Sequence, residues 1–327
     1  MFRKLPWRKL MVVALSAAAA SMLMLTPQSR GDVHSATYKG TKLCMMCHKA
    51  THKSIVDGYQ KTAHPRALGD PAQIVADFTG NDQFAKDQVA YVLGSGDDEQ
   101  AYLDKDYKVL PAIWRTKEKK WVALQVWDQA SSSFKQVTTA DAKTECLGCH
   151  TTGYDAAAGT YVEAGVGCER CHGPGSEHIA AAAADRKKAI VNPVNLPPDR
   201  QAMICGQCHS VGRDTSGKYA FPVSFRPGDD LNAVFVQGKP TGPGRQQQYT
   251  DWLTSKHAEK GTICEKCHDP HGTTGKDYQL LNDTIPLCFG CHPADKLPAG
   301  PQHAADTKMN CSACHMPGGR HTFAKPH

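Results

Sequence analysis

The stretch "GVGCERCHGPGSEH", residues 165–178, places Cys168 and Cys171 three residues apart, with His172 directly after the second cysteine and His178 six residues further on. This C-x-x-C-H spacing occurs seven times and uses all 14 cysteines of the 327-residue chain. The cysteine pairs are Cys44/Cys47, Cys146/Cys149, Cys168/Cys171, Cys205/Cys208, Cys264/Cys267, Cys288/Cys291 and Cys311/Cys314. The histidines that follow them are His48, His150, His172, His209, His268, His292 and His315. The repetition predicts that one kind of site, built seven times, organises the fold.

C-x-x-C-H is the spacing at which c-type haem is attached to a polypeptide. Two intervening residues let one helical turn present both thiols to one porphyrin edge, and the next histidine lies under the iron as its proximal ligand. A disulfide framework or zinc sites would also use an even number of cysteines. Neither needs a histidine after the second cysteine, and histidine is only 16 of 327 residues. The sequence therefore predicts seven covalently bound haem c groups and no catalytic residue.

The second axial position of each iron separates an electron carrier from an enzyme. Nine histidines remain after the proximal seven, and His34 and His327 are set aside because chain ends tend to be mobile. The other seven match seven irons and are predicted as distal ligands: His52, His64, His178, His257, His271, His303 and His321. His52 and His271 closely follow a proximal histidine, so we expect each to serve a neighbouring haem. Methionine is the rival ligand, and Met45, Met46, Met203, Met309 and Met316 lie in or beside the motifs.

The N-terminal segment has the features of an export signal. Arg3, Lys4, Arg8 and Lys9 precede an apolar run, residues 10–25, interrupted only by two serines. The run is shorter than the ~20 residues that span a membrane. We expect residues 1–31 to be a signal peptide, or an N-terminal anchor if the segment is not cleaved, and only the anchor would contact a membrane. Because haem is joined to such motifs outside the cytoplasmic membrane, the predicted location is periplasmic or extracellular.

The formal charge of +6 comes mainly from this segment, which carries five basic and no acidic residues. The remaining chain has 33 basic and 32 acidic residues. Seven ferric haems, each with two propionates, would bring the exported protein to about −6. An acidic surface argues against nucleic-acid binding, despite the sequence pI near 8.6.

The motif spacing predicts two units after the signal segment. Residues 32–143 contain the first haem site and a Val-, Tyr- and Trp-rich stretch around 85–140, which predicts a small antiparallel β segment. Residues 144–327 contain the other six motifs and are predicted to be a six-haem electron-transfer region. Residues 176–190 predict a helix. We expect a mostly irregular and α-helical multihaem cytochrome c fold, in which short helices and loops wrap around stacked haems.

Several segments resemble the cytochrome c554-like multihaem cytochromes. They are "CMMCHKATHKSIVDGYQKTAHPRAL" (44–68), "GVGCERCHGPGSEH" (165–178), "QQYTDWLTSKHAEKGTICEKCHDPHG" (247–272) and "CSACHMPGGRHTF" (311–323). The resemblance implies an exported electron-transfer protein with stacked haem pairs, each iron held by two histidines. It supports as distal ligands His64, His178, His257, His271 and His321. In that family an aromatic residue is more usual at the position of His52. The motif style is also similar to that of filament-forming extracellular cytochromes, in which a distal histidine can come from the next subunit.

Three functional hypotheses follow. The first is a non-enzymatic heptahaem carrier that passes electrons between redox proteins. The second is an oxidoreductase of nitrite, hydroxylamine or sulfur oxyanions, which would need one iron open to substrate. The chain has no C-x-x-C-K variant of the kind that marks such a site in some multihaem nitrite reductases. The third is a subunit of an extracellular cytochrome filament, which makes a homo-oligomer a further expected partner.

Overall fold

The computed structural model describes residues 35–239, 246–298 and 311–324. His34, His303, His327, Met309 and the signal segment predicted at 1–31 lie outside the described residues. The described helices are α1 (Thr41–Thr51), α2 (Lys53–Tyr59), α3 (Ala142–Glu145), α4 (Leu147–His150), α5 (Glu169–His172), α6 (Ser176–Ala180), α7 (Pro198–Gly206), α8 (Gln248–Trp252), α9 (Lys256–Glu259), α10 (Thr284–Phe289) and α11 (Cys311–His315). Short helices joined by irregular chain confirm the expectation for most of the molecule.

The strands concentrate between the first and second cysteine motifs. They are β1 (Leu68–Gly69), β2 (Tyr91–Leu93), β3 (Glu99–Leu103), β4 (Lys108–Val109), β5 (Ala112–Arg115), β6 (Lys120–Ala123), β7 (Gln125–Asp128), β8 (Ser133–Gln136) and β9 (Ala140–Asp141). Seven of them form one antiparallel sheet in the order β1-β2-β3-β4-β9, with β5 paired to β3 and β6 paired to β5. Strands β7 and β8 form a separate hairpin. The predicted antiparallel segment is therefore confirmed, and it begins earlier than expected, at Leu68.

An aromatic cluster fills the sheet. Phe84, Tyr102 and Trp114 are buried in a core of their own, with Phe78 and Trp121 packed against it. The Phe78 and Trp121 rings meet edge to face, with centroids 5.1 Å apart, which is a favourable geometry for an aromatic pair. None of these residues belongs to a cysteine motif, so this part of the chain has a peptide core that does not depend on a cofactor.

Two further apolar clusters support the cysteine motifs. Leu147, in the second motif, is fully buried against Leu103 and Val109 of the sheet. The other cluster contains Met203 of α7 and Ile263, which directly precedes the fifth motif. These contacts anchor the motifs to the sheet and to α7. The remaining strands are the short pairs β10 (Thr151–Thr152) with β11 (Glu163–Ala164), and β12 (Gly212–Asp214) with β13 (Phe235–Gln237).

The helix predicted over 176–190 is wrong beyond its first turn. Helix α6 ends at Ala180, Ala181 adopts extended backbone with ψ 148°, and a 3₁₀ turn follows at Arg186–Lys188. The bend lets the Arg186 carbonyl reach Nδ1 of His178 at 2.8 Å. Helix propensity is a weak preference, and in the alanine run it is overridden by this contact.

Candidate functional site

Each cysteine motif occupies about one helical turn. In five of the seven, the histidine N–H donates to the carbonyl of the first cysteine, four residues earlier, at 2.9–3.1 Å. The first motif lies inside α1, and the last motif forms α11. Residues three and four apart share one face of a turn, so both thiols and the imidazole point to the same side. This is the arrangement that attachment of one porphyrin requires.

All 14 cysteines lie within the described residues and none is in a disulfide. Among the described residues no group of three or more His, Cys, Asp or Glu side chains could hold a metal ion directly. The thiols are therefore neither cross-linked nor clustered as zinc ligands. They remain in pairs, each pair beside one histidine.

The motifs, numbered 1 to 7 along the chain, meet through their sulfurs. A thiol–thiol hydrogen bond is the main cause that raises the pKa of Cys44 and lowers that of Cys168, linking motifs 1 and 3. A similar bond raises the pKa of Cys149 and lowers that of Cys208, linking motifs 2 and 4. Hydrogen bonds also join Cys205 to Cys264 and Cys288 to Cys311, linking motif 4 to 5 and motif 6 to 7.

Weaker electrostatic contacts between cysteines link the remaining neighbouring motifs. Cys171 of motif 3 interacts with Cys208 of motif 4, and Cys267 of motif 5 interacts with Cys291 of motif 6. The motifs thus follow one another in space as 1-3-4-5-6-7, and motif 2 lies beside motif 4. Sequence spacing alone did not indicate this order, because motif 2 follows motif 1 in the chain.

Four pairs of histidines face each other at nearly one distance. The ring centroids of His48 and His178 are 6.1 Å apart, as are those of His172 and His271 and those of His268 and His321. The centroids of His257 and His292 are 6.0 Å apart. Two imidazoles that bind one metal from opposite sides, each with a metal–nitrogen distance of about 2.0 Å, place their centroids roughly 6.3 Å apart. The spacing of all four pairs fits a shared iron.

Three of these pairs follow one rule along the chain. His178 comes shortly after motif 3 and faces His48 of motif 1. His271, which follows motif 5, faces His172 of motif 3, and His321, which follows motif 7, faces His268 of motif 5. In these three pairs, the facing histidine lies just after one odd-numbered motif. Its partner is the proximal histidine of the preceding odd-numbered motif. His271 lies opposite a neighbouring motif rather than its own.

Hydrogen bonds orient many of these rings through Nδ1. The Nδ1 atoms of His150, His172 and His268 lie 2.8, 3.0 and 2.9 Å from the carbonyl oxygens of Ala67, Val191 and Tyr278. His178, His315 and His321 make the same kind of contact at 2.8, 3.1 and 3.0 Å. A carbonyl can only accept, so Nδ1 carries the proton in each ring. The lone pair is then on Nε2, and such a partner on the remote nitrogen is typical of metal-binding histidines.

Burial favours the neutral form of several of these histidines. It is the main cause that lowers the pKa of His150, His172, His268 and His271. His64 is the most strongly affected, with its pKa lowered to about 4 by burial and, secondarily, by nearby His209. The second effect places His64 close to the proximal histidine of motif 4. Neutral imidazole is the form that binds metals.

His52 has a different surrounding from the other predicted distal ligands. Its Nδ1 lies 3.2 Å from Nδ1 of His48 and 2.8 Å from Oγ1 of Thr51. It thus meets the His48 ring at Nδ1 and leaves Nε2 of His48 available. His52 is exposed, and it separates α1 from α2 with φ −137° and ψ 46°. The structure gives it a hydrogen-bonding place beside His48.

Among the described residues, His150 and His209 are proximal histidines without a ring pair, and of the two only His209 has a nearby predicted distal ligand, His64. Within residues 35–239, 246–298 and 311–324, no histidine ring is stacked or paired opposite His150. The pKa of His150 is lowered mainly by burial, and its Nδ1 is held by Ala67. His303, which is also predicted as a distal ligand, lies outside the described residues.

Two buried carboxylates that sequence reasoning missed hold the motifs together. Glu169, 1% exposed, accepts hydrogen bonds from the backbone N–H groups of Lys39, Gly40 and Gly175 at 2.7–2.9 Å. Asp251, fully buried, pairs with Arg320 and accepts from the N–H of His321 at 3.1 Å. Glu169 lies inside motif 3, but nothing in the sequence around Asp251 marks it. Apart from Gly175, their partners are 69 or more residues away, and only folding brings them together.

Two family models match the chain. The model described as "Cytochrome c554 and c-prime" matches residues 110–173, which include motifs 2 and 3. The model described as "Doubled CXXCH motif" matches residues 256–297, which include motifs 5 and 6. The chain is a multihaem c-type cytochrome. Its thiol pairs and oriented imidazoles fit covalently bound c-type haem.

Two curated relatives of this cytochrome are redox proteins. It is 26% identical over 181 residues to the dissimilatory sulfite reductase MccA of Wolinella succinogenes, a match that covers 48% of this chain and 22% of the relative. It is 27% identical over 163 residues to the multiheme cytochrome MtrA of Shewanella baltica, covering 49% of this chain and 38% of the relative. The matched part is well under half of either relative.

Among solved structures, the undecaheme cytochrome from the S-layer of Carboxydothermus ferrireducens is similar over 89% of this chain and 52% of its own, with a TM-score of 0.53 and 23% identity. The likeness shows a shared multihaem cytochrome fold. The octaheme sulfite reductase MccA of Wolinella succinogenes aligns over 86% of this chain and 54% of its own at 15% identity, with a TM-score of 0.47. In the part of the chain that the structure describes, no helix is both long and apolar enough to cross a membrane.

Proposed function

We propose that the chain is a heptahaem electron-transfer cytochrome, exported to the periplasm or the cell exterior, that passes electrons between separate redox proteins. The observation that carries the proposal is the set of histidine pairs whose ring centroids lie 6.0–6.1 Å apart. An iron held from both sides has no position left for a substrate, so it can only exchange electrons. Haem c bound at each motif would supply a one-electron ferric/ferrous couple.

In this proposal the side chains of the protein hold and orient. The thiols tether the group, the facing imidazoles occupy both axial positions, and the backbone carbonyls on Nδ1 fix each ring and its proton. The proposed axial pairs are His48/His178, His172/His271, His268/His321, His292/His257 and His209/His64. The contacts between cysteines of successive motifs then favour transfer along the path 1-3-4-5-6-7.

The exposure of the sulfurs supports entry and exit at the two ends of this path. Cys47 of motif 1, Cys291 of motif 6 and Cys314 of motif 7 are exposed, whereas the other eleven cysteines are partly buried. A partner protein can therefore approach motif 1 or motifs 6 and 7 more closely than the middle of the path. We propose that donor and acceptor dock at these opposite ends.

The proposal is tested on natively matured protein. The intact mass should exceed the polypeptide mass by seven haem groups, and the electron paramagnetic resonance spectrum of the ferric protein should be dominated by low-spin signals. A mass with fewer added groups would contradict the haem count. Strong high-spin signals from several irons would contradict the axial pairs.

A second candidate function rests on His150, which has no facing histidine among the described residues. If the iron of motif 2 is open, the protein could act as an oxidoreductase, and one relative carries the name of a sulfite reductase. Carbon monoxide added to the reduced protein, and sulfite or nitrite added to the oxidised protein, distinguish the two functions. A spectral change equivalent to one haem, followed by turnover of the anion, favours the enzyme. No change favours the carrier.

A further inference from the structure

Two charged side chains lie inside motifs at the centre of the path. Arg170 is between the two cysteines of motif 3, and Glu265 is between the two cysteines of motif 5. Both carry a buried polar atom without a hydrogen-bond partner: Nε of Arg170 and Oε2 of Glu265. Buried polar atoms are almost always satisfied in folded proteins, so both side chains need an explanation.

Arg170 connects three motifs. Its guanidinium NH2 donates to the carbonyl of Gly148 in motif 2 at 2.5 Å and lies 3.8 Å from Sγ of Cys208 in motif 4. Among the described residues no carboxylate forms an ion pair with it. The adjacent carboxylate, Glu169, is already engaged by backbone N–H groups. Arg170 is therefore a positive charge at the junction of motifs 2, 3 and 4 with no negative side chain against it.

Haem attachment leaves the positive charge of Arg170 without compensation from the neighbouring cysteines. Once a thiol has become a thioether, its sulfur can no longer ionise to a negative thiolate. Arginine keeps its positive charge in proteins.

Glu265 supplies the opposite charge nearby. No lysine or arginine in the described chain forms an ion pair with it, and its neighbour Lys266 is exposed. Glu265 thus places a partly buried negative charge between Cys264 and Cys267 of motif 5.

We propose that Arg170 and Glu265 are opposed tuning residues: Arg170 raises the reduction potentials of the haems held by motifs 2, 3 and 4, and Glu265 lowers that of the haem held by motif 5. This inference rests on the proposed function. Reduction adds one electron to an iron and breaks no bond, so a fixed positive charge nearby favours the reduced state and a negative charge disfavours it. Because both side chains are partly buried, salt screens them less than surface charges.

The consequence is a step in potential along the path. Electrons that reach motif 5 should move towards motifs 4, 3 and 2, and those haems should fill first. The centre of the molecule would then store electrons, while the exposed ends exchange them with partners.

Four variants test the proposal. Arg170→Gln removes the positive charge, Arg170→Lys keeps it, and Glu265→Gln removes the negative charge with little change in shape. Lys266→Gln is the matched control, because it removes a positive charge from the same kind of position, between two motif cysteines, on an exposed side chain. For each variant, haem absorbance is followed against applied potential at low and high salt, and the haem content is measured by intact mass.

The expected changes have opposite signs. Arg170→Gln should move about three sevenths of the titration curve to more negative potential, Glu265→Gln should move about one seventh to more positive potential, and Arg170→Lys and Lys266→Gln should leave the curve nearly unchanged. The shifts should persist at high salt. A full complement of haem with an unmoved curve, or with a shift of the wrong sign, overturns the inference while leaving the proposed function intact. Wild-type protein without seven haems would overturn the proposed function instead. If Arg170→Gln fails to mature, the sign of the Glu265→Gln shift decides.

Discussion

Replacing Asp251 with asparagine should release His321 from its position opposite His268. Asp251 is fully buried and Arg320 is 20% exposed. The guanidinium donates to both carboxylate oxygens, with Nε 2.9 and 2.7 Å from Oδ1 and Oδ2 and NH2 2.7 Å from Oδ1. The N–H of His321 donates to Oδ2 as well, at 3.1 Å. One side chain thus holds both the arginine and the backbone of the facing histidine.

The expected magnitude follows from this geometry. Breaking a buried ion pair by removing one partner costs about 3–5 kcal/mol, because the other charge is left uncompensated. The cost falls on the attachment of residues 311–324 to α8 rather than on the whole fold. Since about 1.4 kcal/mol is a tenfold change in an equilibrium, a loss of 3 kcal/mol raises the detached population roughly 100-fold.

The assay is the spin state of the ferric protein at low temperature, with carbon monoxide binding to the reduced protein as a second readout. Asp251→Asn should create a high-spin signal and a carbon monoxide site of at most one haem equivalent. Asp230→Asn is the matched control: Asp230 pairs with Arg200 at 3.2 Å, but its side chain is 45% exposed, and exposed pairs contribute only about 0–1 kcal/mol. An Asp251→Asn protein with full haem and unchanged low-spin signals would refute the role of this ion pair in holding His321.

Three other perturbations have distinct expected outcomes. His178→Ala should convert one haem to high spin because His48 loses the ring that faces it, whereas His52→Ala should keep that haem low-spin, since His52 contacts only the Nδ1 edge of His48; paramagnetic resonance of both variants separates the two roles. Burial raises the pKa of Tyr249 to about 12, so its folded pKa lies above its unfolded value near 10 and the unfolded chain loses its proton first. Stability from this group is full below pH 10 and falls as the pH rises through 12, by at most about 3 kcal/mol; alkaline unfolding should show this loss, and Tyr249→Phe should not. Trp114→Ala should destabilise the sheet by about 3–5 kcal/mol, measured by denaturant unfolding, with an unchanged haem spectrum because Trp114 packs in a cluster outside the motifs; a lost haem would contradict that separation.

The local chemistry of the site could be predicted from the sequence because it is contained in five consecutive residues. A single turn brings the two thiols and the imidazole of each motif to one side, as seen in the bond from His172 N–H to the Cys168 carbonyl. Alternation and β-branched residues likewise predicted the sheet, although β1 at Leu68–Gly69 is too short to produce a pattern. The helix over 176–190 was overpredicted, since alanine propensity is weaker than the contact between His178 and the Arg186 carbonyl.

The seven cysteine motifs were thus readable from the sequence, whereas the pairing of their histidines in space was not. His178 faces His48 across 130 positions of chain, and Asp251 reaches Arg320 across 69. No local rule encodes which segments meet, because the packing of the whole chain decides it. The order of the motifs in space, the different surrounding of His52 and the opposed charges of Arg170 and Glu265 therefore emerged only from the tertiary structure.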